Sequence, residues 1–200
     1  MTHGMALPPY ATTYKDTQMK MESCRKIIAE RLKSCRRERG MSLDATAKAT
    51  GVSKAMLGQI ERQESTPTIA TLWKIATGLN ISFSSFFFNA VRPISGTDIF
   101  PDDPTMNIRV IFPFDAFTQM EMFEFTLTEH HHQRSSAHQV GVIEHIVPLE
   151  GTVEMYYDGE WRRVSPGEAL RFHADQPHEY RAVTEKAVFQ NILCYAYMHS

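Results

Sequence analysis

The sequence predicts a multi-domain chain: an all-α, five-helix unit over residues 22–89, then an all-β antiparallel jelly roll or small barrel over residues 105–200. Three observations predict it. Apolar residues recur at helical spacing as far as Phe88 and alternate with a period of two after residue 104. Between them, AVRPISGTDIFPDDP (residues 90–104) holds Pro, Gly and Asp without apolar periodicity and reads as a linker. The charge also changes sign along the chain. Residues 20–80 carry twelve Lys/Arg against six Asp/Glu, a balance of +6, and residues 81–200 carry eight against sixteen, a balance of −8. Such a basic half joined to an acidic half suggests that only the first meets phosphates.

The remaining composition sets bounds. With 200 residues, 42% of them hydrophobic, the chain is of ordinary globular type. Cys24, Cys35 and Cys194 make no paired framework and no CxxC, so they are expected to be packing groups in a reducing compartment. No long apolar run or signal-like segment is present, which predicts a soluble, cytoplasmic protein with no membrane partner. Residues 1–21, with Pro8-Pro9 and scattered Thr, read as a disordered lead-in, with Met19 or Met21 as alternative starts.

In the helical unit, Ile28, Leu32 and Cys35 fall at i, i+4 and i+7 on one face of a first helix, which Gly40 ends. Ser42 caps a second helix with Leu43 and Ala47 inward; Gly51 permits a tight turn and Val52 plugs the gap behind it. Ser53 caps a third helix over residues 54–62 that buries Leu57 and Ile60. Pro67 separates it from a fourth, capped by Thr68, with Ile69, Leu72, Ile75 and Ala76 as its buried stripe. Ser82 opens a short fifth helix in which Phe83, Phe86 and Phe87 pack together.

A short helix, a tight turn and a second short helix is the arrangement that lays side chains against base edges in a major groove. The run GVSKAMLGQIERQESTPTIATLWKIATGLNIS resembles the XRE family, the lambda-repressor-like helix-turn-helix regulators. The resemblance covers about a third of the chain. One departure is Thr46, where the family has a larger apolar residue. The resemblance implies that Lys54, Ala55 and Gln59 meet bases: Gln59 paired with adenine, Lys54 with guanine, and Ala55 against a thymine methyl. It makes Ser42, Ser53, Arg39 and Lys74 candidates for phosphate contact.

Beyond the linker eight short runs have strand character: MNIRVIF, QMEMFEFTL, GVIEHIV, TVEMYY, EWRRV, ALRFH, EYRAV and VFQNILCYAYM. Asp158-Gly159 signals a type I′ hairpin. Eight of the nine histidines lie beyond residue 129. His138 and Glu144 are six apart, so on one unbroken strand they share a face, with Val142 and Ile146, while His145 faces away. The triple His130-His131-His132 sits in EHHHQRSS and reads as an exposed polar loop, and Cys194 as core.

These spacings resemble the cupin superfamily, a double-stranded β-helix or jelly roll. Glu144 stands seven before Gly151 as the cupin glutamate does, His138 matches the first histidine, and His178 follows Pro166-Gly167 as the last. Val140 occupies the place of the second histidine. The resemblance implies that His138, Glu144 and His178 hold a divalent metal, Zn²⁺ first and Fe²⁺ or Ni²⁺ as alternatives. The other reading is that the three only hydrogen-bond inside the barrel. Tyr156, Arg171, His173 and Tyr180 are candidates to line an effector pocket.

Together the two halves resemble bacterial one-component transcriptional regulators, nearest to a sulfur-utilisation type. That implies a double-stranded DNA operator, an amino acid or small sulfur compound as effector, and a homodimer joined through the cupin on a pseudo-palindrome. The alternatives from other classes are a metal-dependent cupin enzyme carrying a reading head and an antitoxin-like interaction protein.

Overall fold

A computed structural model describes residues 14–87 and 103–196, so most of the expected linker lies outside the described residues. The first helix, α1 (Tyr14–Glu38), begins well inside the segment expected to be a lead-in; residues 1–13 lie outside the described residues. Ile28, Leu32 and Cys35 are buried on one face of α1, as their spacing requires.

The next three helices are α2 (Leu43–Thr50), α3 (Lys54–Glu61) and α4 (Ile69–Leu79). Each is capped as expected: the side chains of Ser42, Ser53 and Thr68 accept from the backbone N–H of Ala45, Met56 and Thr71. Gly51 takes φ +67° to end α2, and Val52 is buried behind the turn. Thr46 is wholly buried, and its hydroxyl donates to the Ser42 carbonyl, which is how α2 carries a polar residue at an apolar position. Arg36 clamps α1 to α3 by donating to both carboxylate oxygens of Glu61 at 2.6 and 2.8 Å and to the Met41 carbonyl.

The expected fifth helix is instead a four-residue 3-10 turn, Phe83–Phe86. Ser82 stands at its N-terminus but makes no cap bond through its side chain. Two phenylalanine faces close together and no local cap do not sustain an α-helix, whereas a single 3-10 turn suffices to bury Phe83, Phe86 and Phe87.

Among the described residues the second half holds nine strands: β1 (Met106–Asp115), β2 (Met120–Thr128), β3 (His132–Ser135), β4 (Ile143–Glu150), β5 (Val153–Tyr157), β6 (Glu160–Val164), β7 (Leu170–His173), β8 (His178–Ala182) and β9 (Lys186–Cys194). They form a five-stranded sheet in the order β1-β2-β9-β4-β7 and a four-stranded sheet in the order β3-β8-β5-β6, with antiparallel pairing throughout. This is the expected jelly roll, with one strand more than the eight expected. β3 lies in the stretch read as an exposed loop; it has no apolar alternation to announce it and forms only because it pairs with β8. Asp158 and Gly159 both take positive φ in the β5–β6 hairpin, as a type I′ turn requires.

Alternation fills the barrel. Phe123, Phe125 and Leu127 from β2, Ile146 from β4, Met155 and Tyr157 from β5 and Phe189 and Leu193 from β9 are all buried. Glu121 shares the inward parity of β2 and is fully buried. Its carboxylate accepts from the backbone N–H groups of Phe83 and Ser84, the first residues of the 3-10 turn, at 3.1 and 2.9 Å. The Tyr195 hydroxyl donates to the same carboxylate. A strand of the barrel therefore caps the last turn of the helical head. Around this cap Trp73 stacks on Phe83 at 4.1 Å and Phe83 meets Phe123 edge-on at 5.6 Å. The Phe114 backbone N–H also donates to the Ser84 hydroxyl. The two halves share one apolar core that runs from α1 to the end of β9.

Candidate functional site

The inward positions of the barrel carry one cluster of metal-ligating side chains among the described residues: His138, Glu144 and His178, whose donor atoms all lie within 4.8 Å of one another. They come from three places. Glu144 is the second residue of β4, with β9 on one side and β7 on the other, so its strand is held on both edges. His178 opens β8 in the facing sheet. His138 is not on the strand of Glu144, as parity supposed; it lies in the connection between β3 and β4. After it the chain turns outward through Gly141, at φ +84°, and Val140 is 88% exposed. The position where a second histidine was sought thus points to solvent.

All three side chains are buried, and their contacts are directed. His138 Nε2 lies 2.7 Å from Glu144 Oε1, and His178 Nε2 lies 3.5 Å from the same oxygen. His178 Nδ1 donates to the Gln176 carbonyl at 3.0 Å, which leaves Nε2 as the nitrogen facing the cluster. The Asn191 amide donates to Glu144 Oε2 at 2.9 Å and so fixes the carboxylate plane. The Asn191 side-chain oxygen Oδ1 and His138 Nδ1 are buried without a hydrogen-bond partner.

The electrostatics suit a cation. Burial would raise the Glu144 carboxyl, but the charge of His178 and hydrogen bonds from His138 and Asn191 outweigh it and hold the group down at about 2. Burial lowers the His178 imidazole, the pull of Glu144 opposes that, and the neighbouring His138 adds to the lowering. Two imidazoles and a carboxylate, one ring oriented by a carbonyl and the carboxylate by an amide, form a donor set that fits a divalent transition metal.

Asn191 was not legible as a site residue, although FQNIL gives it the inward parity of Phe189 and Leu193. Of the four residues expected to line a pocket, Tyr180 alone is inside, with its hydroxyl against Met106 Sδ. Arg171 and His173 are exposed because they flank inward Phe172 on β7. Tyr156 is on the outer face of β5, against Trp161, with Tyr157 turned inward in its place. The three consecutive histidines go separate ways. His130 lies 3.4 Å from Glu185, His131 meets the Thr105 hydroxyl, and His132 meets Glu179 at 2.6 Å.

On the helical half, Lys54, Ala55 and Gln59 are exposed along α3, and Ser42, Ser53, Arg39 and Lys74 are exposed as well. Lys54 Nζ pairs with Asp44 across the turn at 2.8 Å. Both partners are more than half exposed, so the pair is worth about 0–1 kcal/mol and yields readily to a stronger acceptor.

Comparison with known proteins agrees with this division. A helix-turn-helix family, HTH_3, matches residues 32–86, and a cupin domain family, Cupin_2, matches residues 123–192. The chain is 44% identical over 178 residues to the HTH-type transcriptional regulator SutR of Escherichia coli (strain K12), an alignment covering 88% of this chain and 98% of that one. A crystal structure of an HTH_3 family transcriptional regulator from Vibrio cholerae superposes with a TM-score of 0.84 at 56% identity, covering 88% of this chain and 99% of that one. No helix among the described residues is long and apolar enough to cross a membrane.

Proposed function

Because the chain belongs to the XRE-like helix-turn-helix transcriptional regulators that carry a C-terminal cupin domain, we propose that its barrel senses a small ligand and its head reads an operator as a homodimer. The observation that carries this reading is the pairing, in one chain, of an uncovered α3 with a buried two-histidine, one-glutamate cluster. In this reading the sequence-derived bounds of residues 22–89 for the head, 90–104 for the linker and 105–200 for the sensor stand, with the head extended at its start to take in all of α1. One α3 per chain reads one half-site, so two copies with recognition helices roughly 34 Å apart span a pseudo-palindrome.

In this reading Gln59, Lys54 and Ala55 meet base edges, and Ser42, Ser53, Arg39 and Lys74 meet phosphates. His138, Glu144 and His178 hold a divalent metal, Zn²⁺ before Fe²⁺ or Ni²⁺, and the effector is a small amino-acid or sulfur compound able to reach it beside Tyr180 and Asn191. The site is regulatory rather than catalytic.

Two measurements test the two ends of the molecule. Metal analysis of protein purified without chelator should give about one equivalent per chain, and a His138→Ala/Glu144→Ala/His178→Ala variant none. Equal metal content in the two proteins removes the metal centre. For the head, Gln59→Ala should weaken binding to a duplex selected from random DNA by about 1–3 kcal/mol and relax one base position in each half-site. If selected and random DNA lose affinity equally, Gln59 does not read a base. A footprint of a single half-site, with a monomer in sedimentation, removes the dimer.

A further inference from the structure

Trp73 belongs to α4 of the head, yet its indole lies 4.3 Å from the ring of His138, tilted by 33°. The contact is not incidental to a loose surface. Trp73 is buried, stacks on Phe83 at 4.1 Å and meets Phe123 of the barrel. Beside it the Gln139 side chain reaches the Ile81 carbonyl at 3.4 Å. The residue next to His138 and the residue just beyond α4 are therefore tied as well.

From this geometry we infer that Trp73 is a wall of the ligand site, and that a divalent cation entering between His138, Glu144 and His178 displaces the indole and with it α4. The inference rests on the metal reading above and adds the residue through which the head registers occupancy. Two ligand atoms on one tetrahedral Zn²⁺-sized ion stand roughly 3.3 Å apart, given metal–ligand bonds of about 2.0–2.1 Å. His178 Nε2 and Glu144 Oε1 already stand 3.5 Å apart, but His138 Nε2 and Glu144 Oε1 are only 2.7 Å apart. One of that pair must withdraw. Glu144 is tied by Asn191 and its strand is paired on both edges. His138 sits on a connection outside any strand, so the imidazole moves, and Trp73 packs on that ring.

The displacement has a path to the DNA face. At Gly78, α4 lies against the backbone of Ala49 and Thr50 at the end of α2, and Gly51 leads directly into α3. A shift of α4 therefore moves the seat of the recognition helix. If the operator also binds the two seatings of α4 unequally, a cation that prefers one seating of Trp73 alters operator affinity by the same factor that DNA alters cation affinity.

The test uses Co²⁺ and Zn²⁺ with full-length protein. The chain has two tryptophans, so Trp161→Phe leaves Trp73 as the reporter. Co²⁺ should bind at about one equivalent above a Glu144→Ala blank and change affinity for a selected duplex about ten-fold. Zn²⁺, a closed-shell ion that does not itself quench indole, should shift the wavelength of Trp73 emission. Trp73→Phe should keep the bound Co²⁺ while the DNA response falls below about two-fold. Bound Zn²⁺ with an unshifted Trp73 emission overturns the inference and leaves the metal reading standing; so does a full DNA response in Trp73→Phe. Binding no greater than the blank overturns both. Should Trp73→Phe fail to fold, the Zn²⁺ emission shift of the Trp161→Phe protein decides alone.

Discussion

Replacing Glu121 by alanine is expected to lower the unfolding free energy by about 3 kcal/mol or more and to split one melting transition into two. The carboxylate is the acceptor for three groups: the N–H of Phe83, the N–H of Ser84 and the hydroxyl of Tyr195. Each buried donor left without an acceptor costs about 1–3 kcal/mol, and alanine offers none of them a replacement. Against this stands the relief of removing a buried acid. The acid is partly relieved already, because burial raises its pKa and the hydrogen bonds from Ser84, Tyr195 and Phe83 only partly offset that. Three abandoned donors therefore outweigh one desolvated carboxyl.

The sign of the pH dependence follows. The folded chain holds the Glu121 proton above pH 4.5, where the unfolded chain releases it. This group's contribution to stability is fully present below that value and falls as pH rises towards the folded pKa. Glu121→Gln should remove that slope. The measurement is calorimetry from pH 4 upward. A single transition in Glu121→Ala, with wild-type Tm, would mean that the cap does not join the head to the barrel.

The second large effect is expected at Gly78, where helix propensity and packing give opposite signs. In a solvated helix interior Gly→Ala stabilises by about 1 kcal/mol. Here a Cβ would fall 2.5 Å from the Ala49 carbonyl oxygen and 2.6 Å from the Thr50 Cα. Both are backbone atoms of α2 and have no rotamer to yield, so α2 and α4 must separate. Overpacking of this kind typically costs about 1–3 kcal/mol, and contact with backbone rather than side chain puts Gly78→Ala at the upper end or beyond it. Urea titration measures the loss. Because α2 positions α3, operator affinity should fall with it even in folded protein. A Gly78→Ala protein more stable than wild type would mean that the two helices do not approach this closely.

Much of this was legible in the chain. Ser42, Ser53 and Thr68 cap the helices they precede, and Ile28, Leu32, Leu57 and Ile75 are buried as their spacing requires. His138, Glu144 and His178 do come together. The grounds for the triad are mixed: the family resemblance points to three residues that the fold brings together, while the unbroken-strand argument does not hold, because the chain turns at Gly141 between two of them. Pocket-lining residues were less legible. Arg171 and His173 were chosen by chemistry without parity, and Phe172 between them takes the inward position. β3 is not legible in the sequence because a four-residue polar strand is defined by its partner β8 and not by its own composition.

The two halves, their all-α and all-β classes and the turn before α3 are set along the chain itself. These depend on periodicity, caps and turns, which are set by residues two to four positions apart and can be read along one segment. Only the tertiary structure decided that Glu121 caps the turn at Phe83, that Trp73 lies on His138 and that Asn191 holds Glu144. Those contacts join residues far apart in sequence. An inward glutamate, tryptophan or asparagine has the same local pattern whichever element it meets, so its partner is fixed only when the head seats on the barrel.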